Sequence, residues 1–361
     1  MRSTLDEFTK ELQELRALVA SIAPVNAALS DHENSLVRQY VLVRRRFDYA
    51  AFAVALYASL EKFIEGLVAA YAQLESRRLR YVELPPKLAR KHLTRTADIL
   101  SRGRLGEGRY VGLSELDLVK NLFECLNGER LYSLNEAAVV AHDLNLRVGE
   151  IDAMFATVGI EQISERVRHA DPLVDWYREV KGDAALPADG VPASIIEERI
   201  KDLVERRNQV AHRGGTPVDL LGASEMGEAV GFIHAFAQST FVMTVERYLR
   251  QHHAGAGTEL VQRADDGPYR NGKIVIVDAP SAHLFRGQPL FVLGESIGAR
   301  WGRIQGLQLD GVAVDTVEPG LASNGIGVEL DFKCPKDARL VALAAEDDLV
   351  WSPLGAVDSA E

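Results

Sequence analysis

The feature that most restricts the fold is a change of hydrophobic period partway along the chain. Up to about residue 250, apolar residues recur every three or four positions. The clearest case is Phe52, Leu56, Leu60, Phe63, Ile64, Leu67, Val68, Tyr71 and Leu74, the spacing of one face of an α-helix. After "QHHAGAGTE" the texture changes to short β-type runs, "GKIVIVDA", "QPLFVLG", "RIQGLQLDGVAVDTV", "GIGVELDF" and "ARLVALA", separated by Gly, Pro, Asn and Asp. Such a chain is expected to be multi-domain, with an all-α helical bundle over 1–252, a small all-β barrel over 257–350, and "HHAGAG" as the boundary. Its 361 residues, 47% of them hydrophobic, exceed what one core usually organises, which agrees with two domains.

Within the helical part, Leu5 to Ile22 is amphipathic, Leu36 to Leu74 forms one long helix, and shorter patterns follow at 116–126, 134–142 and 148–155. A last helix runs from about Glu225 to Gln251. Pro85-Pro86 and the glycines of "SRGRLGEGRYVG" mark 75–115 as an insertion of short helices and loops. This insertion is basic: residues 75–104 carry nine Lys/Arg against three Asp/Glu. Arg77, Arg78, Lys87, Arg90 and Lys91 are therefore candidate phosphate contacts. The net charge of −11 does not exclude nucleic acid, because residues 251–361 account for −7 of it and residues 1–250 for only −4.

Several classes are not expected. Cys125 and Cys334 lie far apart without metal-type spacing, which argues against a disulfide framework or zinc cluster and fits a reducing, cytoplasmic setting. "MRSTLDEFTKELQEL" lacks the apolar core of a signal peptide, and no run reaches membrane-spanning length. There is no P-loop, no G-x-S-x-G and no Cys/His ligand spacing, so neither a metal nor a cofactor is expected.

The stretch with chemical content is "IKDLVERRNQVAHRGG", residues 200–215. Its helix is signalled by Pro192, Ser194 as N-cap and Glu197 completing a capping box, with Gly214-Gly215 as the stop. Asn208 and His212 are about 40° apart around a helix and share a face, whereas Arg207 and His212 are about 140° apart. A histidine in a last turn is drawn toward its protonated form by the helix dipole, and an arginine offers a fixed fork for phosphate oxygens. Such a pair suits phosphodiester chemistry. Spacing alone is not diagnostic, since Arg247…His252 repeats it without a polar second residue or a glycine stop.

In context, "RRNQVAHRGG" resembles the signature of the HEPN superfamily, in which Arg, usually followed by Asn or another polar residue, precedes His by four to six positions near a helix end. "ALYASLEKFIEGLVAAY" resembles the earlier long helix of RiboL-PSP-type HEPN proteins, and Glu61 is the acidic residue that often faces the Arg-His pair. "ELPPKLARKHL" and "HDLNLRVGEIDAMFATVGI" resemble their intervening segments. The resemblance implies a HEPN-type bundle that pairs as a homodimer. It further implies a metal-independent endoribonuclease, acting as a toxin or anti-phage defence effector, in which the RNA 2′-hydroxyl attacks its own phosphodiester. It assigns proton transfer to His212, phosphate stabilisation to Arg207, orientation to Asn208 and the holding of Arg207 to Glu61. Arg206 remains a rival for Arg207, and Arg213 is a candidate backbone contact. The alternative is a non-catalytic module that binds RNA or pairs with a protein such as an antitoxin.

In the C-terminal part, "RIQGLQLDGVAVDTVEPG…GIGVELDFKCPKDARLVALA" resembles the second, β-barrel domain of translational GTPases such as elongation factor Tu. That implies a docking module, and its net −7 points to a translation-related or other protein partner rather than to RNA backbone.

Overall fold

The computed structural model describes residues 1–102, 105–106, 110–213, 219–263, 266–278, 280–293, 299–320, 325–336 and 338–343. For Leu42, His212 and Arg213 it describes the backbone alone. The chain divides into two compact units, one holding 3–168 and 172–240, the other 169–171 and 241 onward.

The helical unit begins with α1 (Arg2–Ser30) and α2 (Ser35–Arg78), joined by a turn in which the Asn34 side chain accepts the Leu36 N–H at 2.9 Å and starts α2. The apolar stripe of α2 is fully buried from Phe52 to Leu74, and Phe8 of α1 packs on Phe63 with centroids 4.7 Å apart. Each such buried side chain contributes about 1.5–3 kcal/mol of transfer free energy, so this half of α2 organises the core.

Residues 75–115 differ from the expected insertion of short helices and loops. They hold the last turn of α2, a 3-10 turn at Tyr81–Glu83, and one long helix, α3 (Pro86–Arg102). The proline pair starts this helix rather than breaking it. Pro85 lends its carbonyl to Leu88 and Ala89, and Pro86 takes the first helical position, where a missing N–H costs nothing. Leu88, His92, Thr96 and Ile99 form its buried face.

There follow α4 (Glu115–Leu126), capped by Ser114, α5 (Glu136–Val139), α6 (Val148–Thr157), α7 (Ile163–Val167) and α8 (Asp171–Lys181). The helix expected at 134–142 shrinks to the single turn of α5. Before it, Asn135 gives its backbone N–H to the His92 ring and its side-chain amide to Thr96 and Leu118. α7 and α8 were not foreseen in the sequence pattern. Next come α9 (Ala193–Arg213), packed on α2 and α6, and α10 (Ala223–His252). Ser194, expected as the N-cap, lies inside α9, which starts at Ala193 with the Pro192 carbonyl accepting the Ile195 N–H at 3.1 Å.

The second unit is a curled antiparallel sheet. Its strands are β1 (Thr258–Leu260), β2 (Ile274–Val277), β3 (Leu284–Phe285), β4 (Pro289–Leu293), β5 (Arg300–Leu309), β6 (Val312–Val314), β7 (Thr316–Val317), β8 (Ile326–Leu330) and β9 (Arg339–Ala342). They run in the order β1-β9-β4-β5-β8-β2, with β6 beside β5 and β3 paired to β7. Just past β1, Arg263 N–H donates to Ile276 O (2.9 Å) and Asp278 N–H to Val261 O (3.0 Å), so the two edges of the sheet meet. Alternation places Val275, Val277, Ile326, Val328 and Leu330 in the core, with Leu307 opposite Val328. The β5–β6 hairpin turns on Asp310-Gly311, both at positive φ, the type I′ chemistry that matches strand twist.

Candidate functional site

α9 buries Ile196, Ile200, Leu203 and Val204 and then presents three half-buried polar side chains in a row, Arg206, Arg207 and Asn208. Successive helical residues point about 100° apart, so the two arginines leave in different directions. Arg206 donates to the Tyr49 hydroxyl (3.0 Å), Asp202 (2.7 Å) and the Asp219 carbonyl (3.1 Å), beside a narrow apolar cleft lined by Phe52, Leu56, Leu203 and Phe232. Its fork is committed to the fold.

Arg207 instead lies over the ring of Tyr57, its guanidinium carbon 5.2 Å from the centroid, and donates to Asn208 Oδ1 at 3.1 Å. Tyr57 passes the connection to Glu61, donating its hydroxyl hydrogen at 3.0 Å, and accepts the Leu146 N–H at 3.1 Å. Burial pushes the Tyr57 hydroxyl up to about 12, and the Glu61 carboxylate adds to it, while the Leu146 N–H and the charge of Arg207 oppose. Glu61 thus meets Arg207 across Tyr57, and its own polar contacts among the described residues are Tyr57 and His142.

His142 closes the other side. Its Nε2 lies 2.8 Å from Glu65 Oε1 and 3.7 Å from Glu61 Oε1, and its Nδ1 lies 2.7 Å from the Leu144 carbonyl oxygen. Every one of these partners is an acceptor. A neutral imidazole has a single N–H, so the arrangement fits the doubly protonated ring. The hydrogen bond to Glu65 accordingly raises the His142 pKa, against the opposing effect of burial. Asn145, from the same segment, donates to Asn208 Oδ1 at 3.2 Å. Among the described residues, Glu61, Glu65 and His142 are the one grouping whose donor atoms lie close enough to hold a metal ion, within 4.8 Å of one another. With an imidazolium between them, one of the two carboxylate charges is offset and the group keeps a net charge of −1.

The His212 and Arg213 side chains and residues 214–218 lie outside what the structure describes, although the α9 backbone runs through Arg213. The basic stretch does not form one free face. Arg77, Arg78 and Arg90 are exposed, and Lys87 pairs with Glu161 at 2.8 Å. Lys91 is half-buried. Burial lowers its ammonium to about 8, the charge of Arg95 adds to this, and Glu65, Asp143 and Glu150 oppose it. Sequence reading passed over Tyr57, Glu65, His142 and Asn145 as site residues. A signal existed: Tyr57, Glu61 and Glu65 stand four apart on one face of α2, and "HDLNL" gathers three polar side chains in five residues.

An all-α unit carrying an Arg-Asn pair five and four positions before a histidine, at the end of a helix packed on a long acidic-faced partner, defines a HEPN-type ribonuclease or RNA-binding module. Residues 6–242 match the family model for RiboL-PSP-HEPN, and the chain belongs to that family. No curated protein matches the chain. No described helix is long and apolar enough to cross a membrane.

Proposed function

We propose that the helical unit is a metal-independent endoribonuclease acting as a homodimer, with a cytoplasmic role as a toxin or anti-phage defence effector. In the reaction the RNA 2′-hydroxyl attacks the adjacent phosphorus, the 5′-oxygen leaves, and the products are a 2′,3′-cyclic phosphate and a 5′-hydroxyl end. His212 moves the proton, Arg207 stabilises the charge gathering on the phosphate, Asn208 orients the phosphate, and Glu61 steadies Arg207 through Tyr57. The observation that carries this reading is the contrast between the arginines. Arg206 is spent on Tyr49, Asp202 and Asp219, while among the described residues Arg207 is held by a ring face and one amide oxygen, which leaves donors of its fork for a ligand.

Pairing of two copies is supported by Leu36, Tyr40, Val43 and Phe47, at steps of four, three and four on α2 and each at least half exposed. That is the spacing of a helix-pairing seam. The acidic strand unit then serves as a docking module for a protein partner, an antitoxin or a component of translation.

The test is cleavage of RNA in EDTA by wild type, Arg207→Ala and His212→Ala, with end-group analysis. Wild type should leave cyclic phosphate ends and both variants should lose at least ~100-fold in rate, the scale of removing a proton-transfer or charge-stabilising group. RNA binding without product in wild type would favour the non-catalytic module, and metal dependence would place the protein in another nuclease class.

A further inference from the structure

The segment 142–146 reaches the site three times in five residues. His142 meets Glu65 and Glu61, Asn145 meets Asn208, and the Leu146 N–H meets Tyr57. Two of these contacts fix atoms that matter to a phosphate ligand. Asn208 Oδ1 receives Arg207 at 3.1 Å, and a guanidinium can only donate, so the amide oxygen must lie on that side. The Asn145 side chain must then also approach with its amide nitrogen, as it does at 3.2 Å. Oδ1 of Asn208 is held by two donors, and its own NH2 group, which has no partner among the described residues, is left as a donor suited to an anionic oxygen. On the other side, the His142 imidazolium holds Glu61 and Glu65 in place, Glu61 holds the Tyr57 hydroxyl, and Tyr57 supplies the surface on which Arg207 rests.

We infer that His142 and Asn145 are positioning residues of the site, Asn145 fixing the amide orientation of Asn208 and a protonated His142 fixing the carboxylates beneath Tyr57 and Arg207. The inference rests on the ribonuclease reading for its effect on rate, and on the geometry alone for its effect on His142. The charged groups that face His142 are Glu61 and Glu65 from α2 and its neighbour Asp143, with Lys91 and Arg95 of α3 beyond them. The carboxylates are the nearer, so the ring keeps its second proton into neutral pH.

Two measurements test this on the full chain. In cleavage assays, Asn145→Asp is nearly isosteric but sets a carboxylate oxygen against Asn208 Oδ1 and draws Arg207 toward itself. Its kcat should fall by about tenfold or more with little change in KM, the scale of one charge-assisted hydrogen bond. Asn145→Ala, which only removes the donor, should fall less. Both should keep the wild-type circular dichroism spectrum. Wild-type kcat in Asn145→Asp would overturn the inference. Independently of activity, an NMR pH titration should find the His142 ring titrating above its ordinary value near 6.5, returning toward that value in Glu65→Gln. A ring that titrates at or below 6.5 in wild type would overturn it as well. If wild type cut no RNA, the ribonuclease reading would fall, and the titration alone would then decide this inference either way.

Discussion

At the residue scale, two adjacent arginines do different work because a helix turns between them. Replacing Arg206 by Ala leaves the buried Tyr49 hydroxyl and Asp202 without their shared donor, and should cost about 1–3 kcal/mol of stability, read by chemical denaturation. Arg207→Ala should leave stability within about 1 kcal/mol and slow cleavage at least ~100-fold, since its contacts among the described residues are a ring face and a neighbouring amide. Equal stability loss in the two would contradict this division of labour. A second residue sets an acid limit. His92 is fully buried, its Nε2 accepts the Asn135 N–H at 2.9 Å, and Tyr81, which donates to the Ala89 carbonyl, accepts from its Nδ1. The ring is therefore neutral, and burial lowers its pKa from 6.5 to about 4. The unfolded chain binds the proton first as pH falls, so stability is complete above 6.5 and drains between there and 4. The loss attributable to this residue is about 3 kcal/mol, which a pH series of denaturation midpoints would detect and which should be absent from the same series on His92→Phe.

At the element scale, α2 is one helix with two environments. From Tyr49 onward its stripe is core, and that half was legible because nine apolar residues keep one face. Its first turns carry Leu36, Tyr40, Val43 and Phe47 at 70%, 57%, 50% and 67% exposure. An exposed apolar seam of this kind is expected to be covered by another helix, and a second copy of the same seam satisfies both at once. Tyr40→Asp/Phe47→Asp should shift the protein from dimer to monomer in sedimentation while leaving its helical content intact, because both side chains are more than half exposed in the fold. A wild type that sediments as a monomer at micromolar concentration and still cuts RNA would reject the pairing. Sequence pattern did less well where polar contacts rather than periodicity decide. α3 was hidden because a proline pair looks like a break unless its second member is at the first helical position. The resemblance assigns Glu61 to Arg207, but Tyr57 as the link between them and the Asn145–Asn208 contact were hidden, because Tyr57 and Arg207 lie 150 positions apart and Asn145 and Asn208 lie 63 apart.

At the scale of the molecule, the boundary between the units falls inside α10. The sequence marks its change of texture at "HHAGAG", yet residues from Phe241 onward belong with the strands, Phe241 lying 5.9 Å from the Trp301 ring. Phe241, Val242, Val245 and Leu249 are all buried, and in helical projection they cannot be told from the residues that serve the bundle. A cut at the apparent hinge therefore divides a core. A chain ending at His252 keeps α10 but strips its last turns of the strands that accompany them, exposing side chains worth about 1.5–3 kcal/mol each when covered. Such a chain should melt several degrees below the full protein, bind a hydrophobic dye, and elute as soluble aggregate. The RiboL-PSP-HEPN match ends at 242, close to the contact boundary and well short of the hinge. If the chain ending at His252 instead proved monodisperse, with the melting temperature of the intact protein, the last turns of α10 would need nothing from the strands, and the helical unit would be autonomous to its final residue.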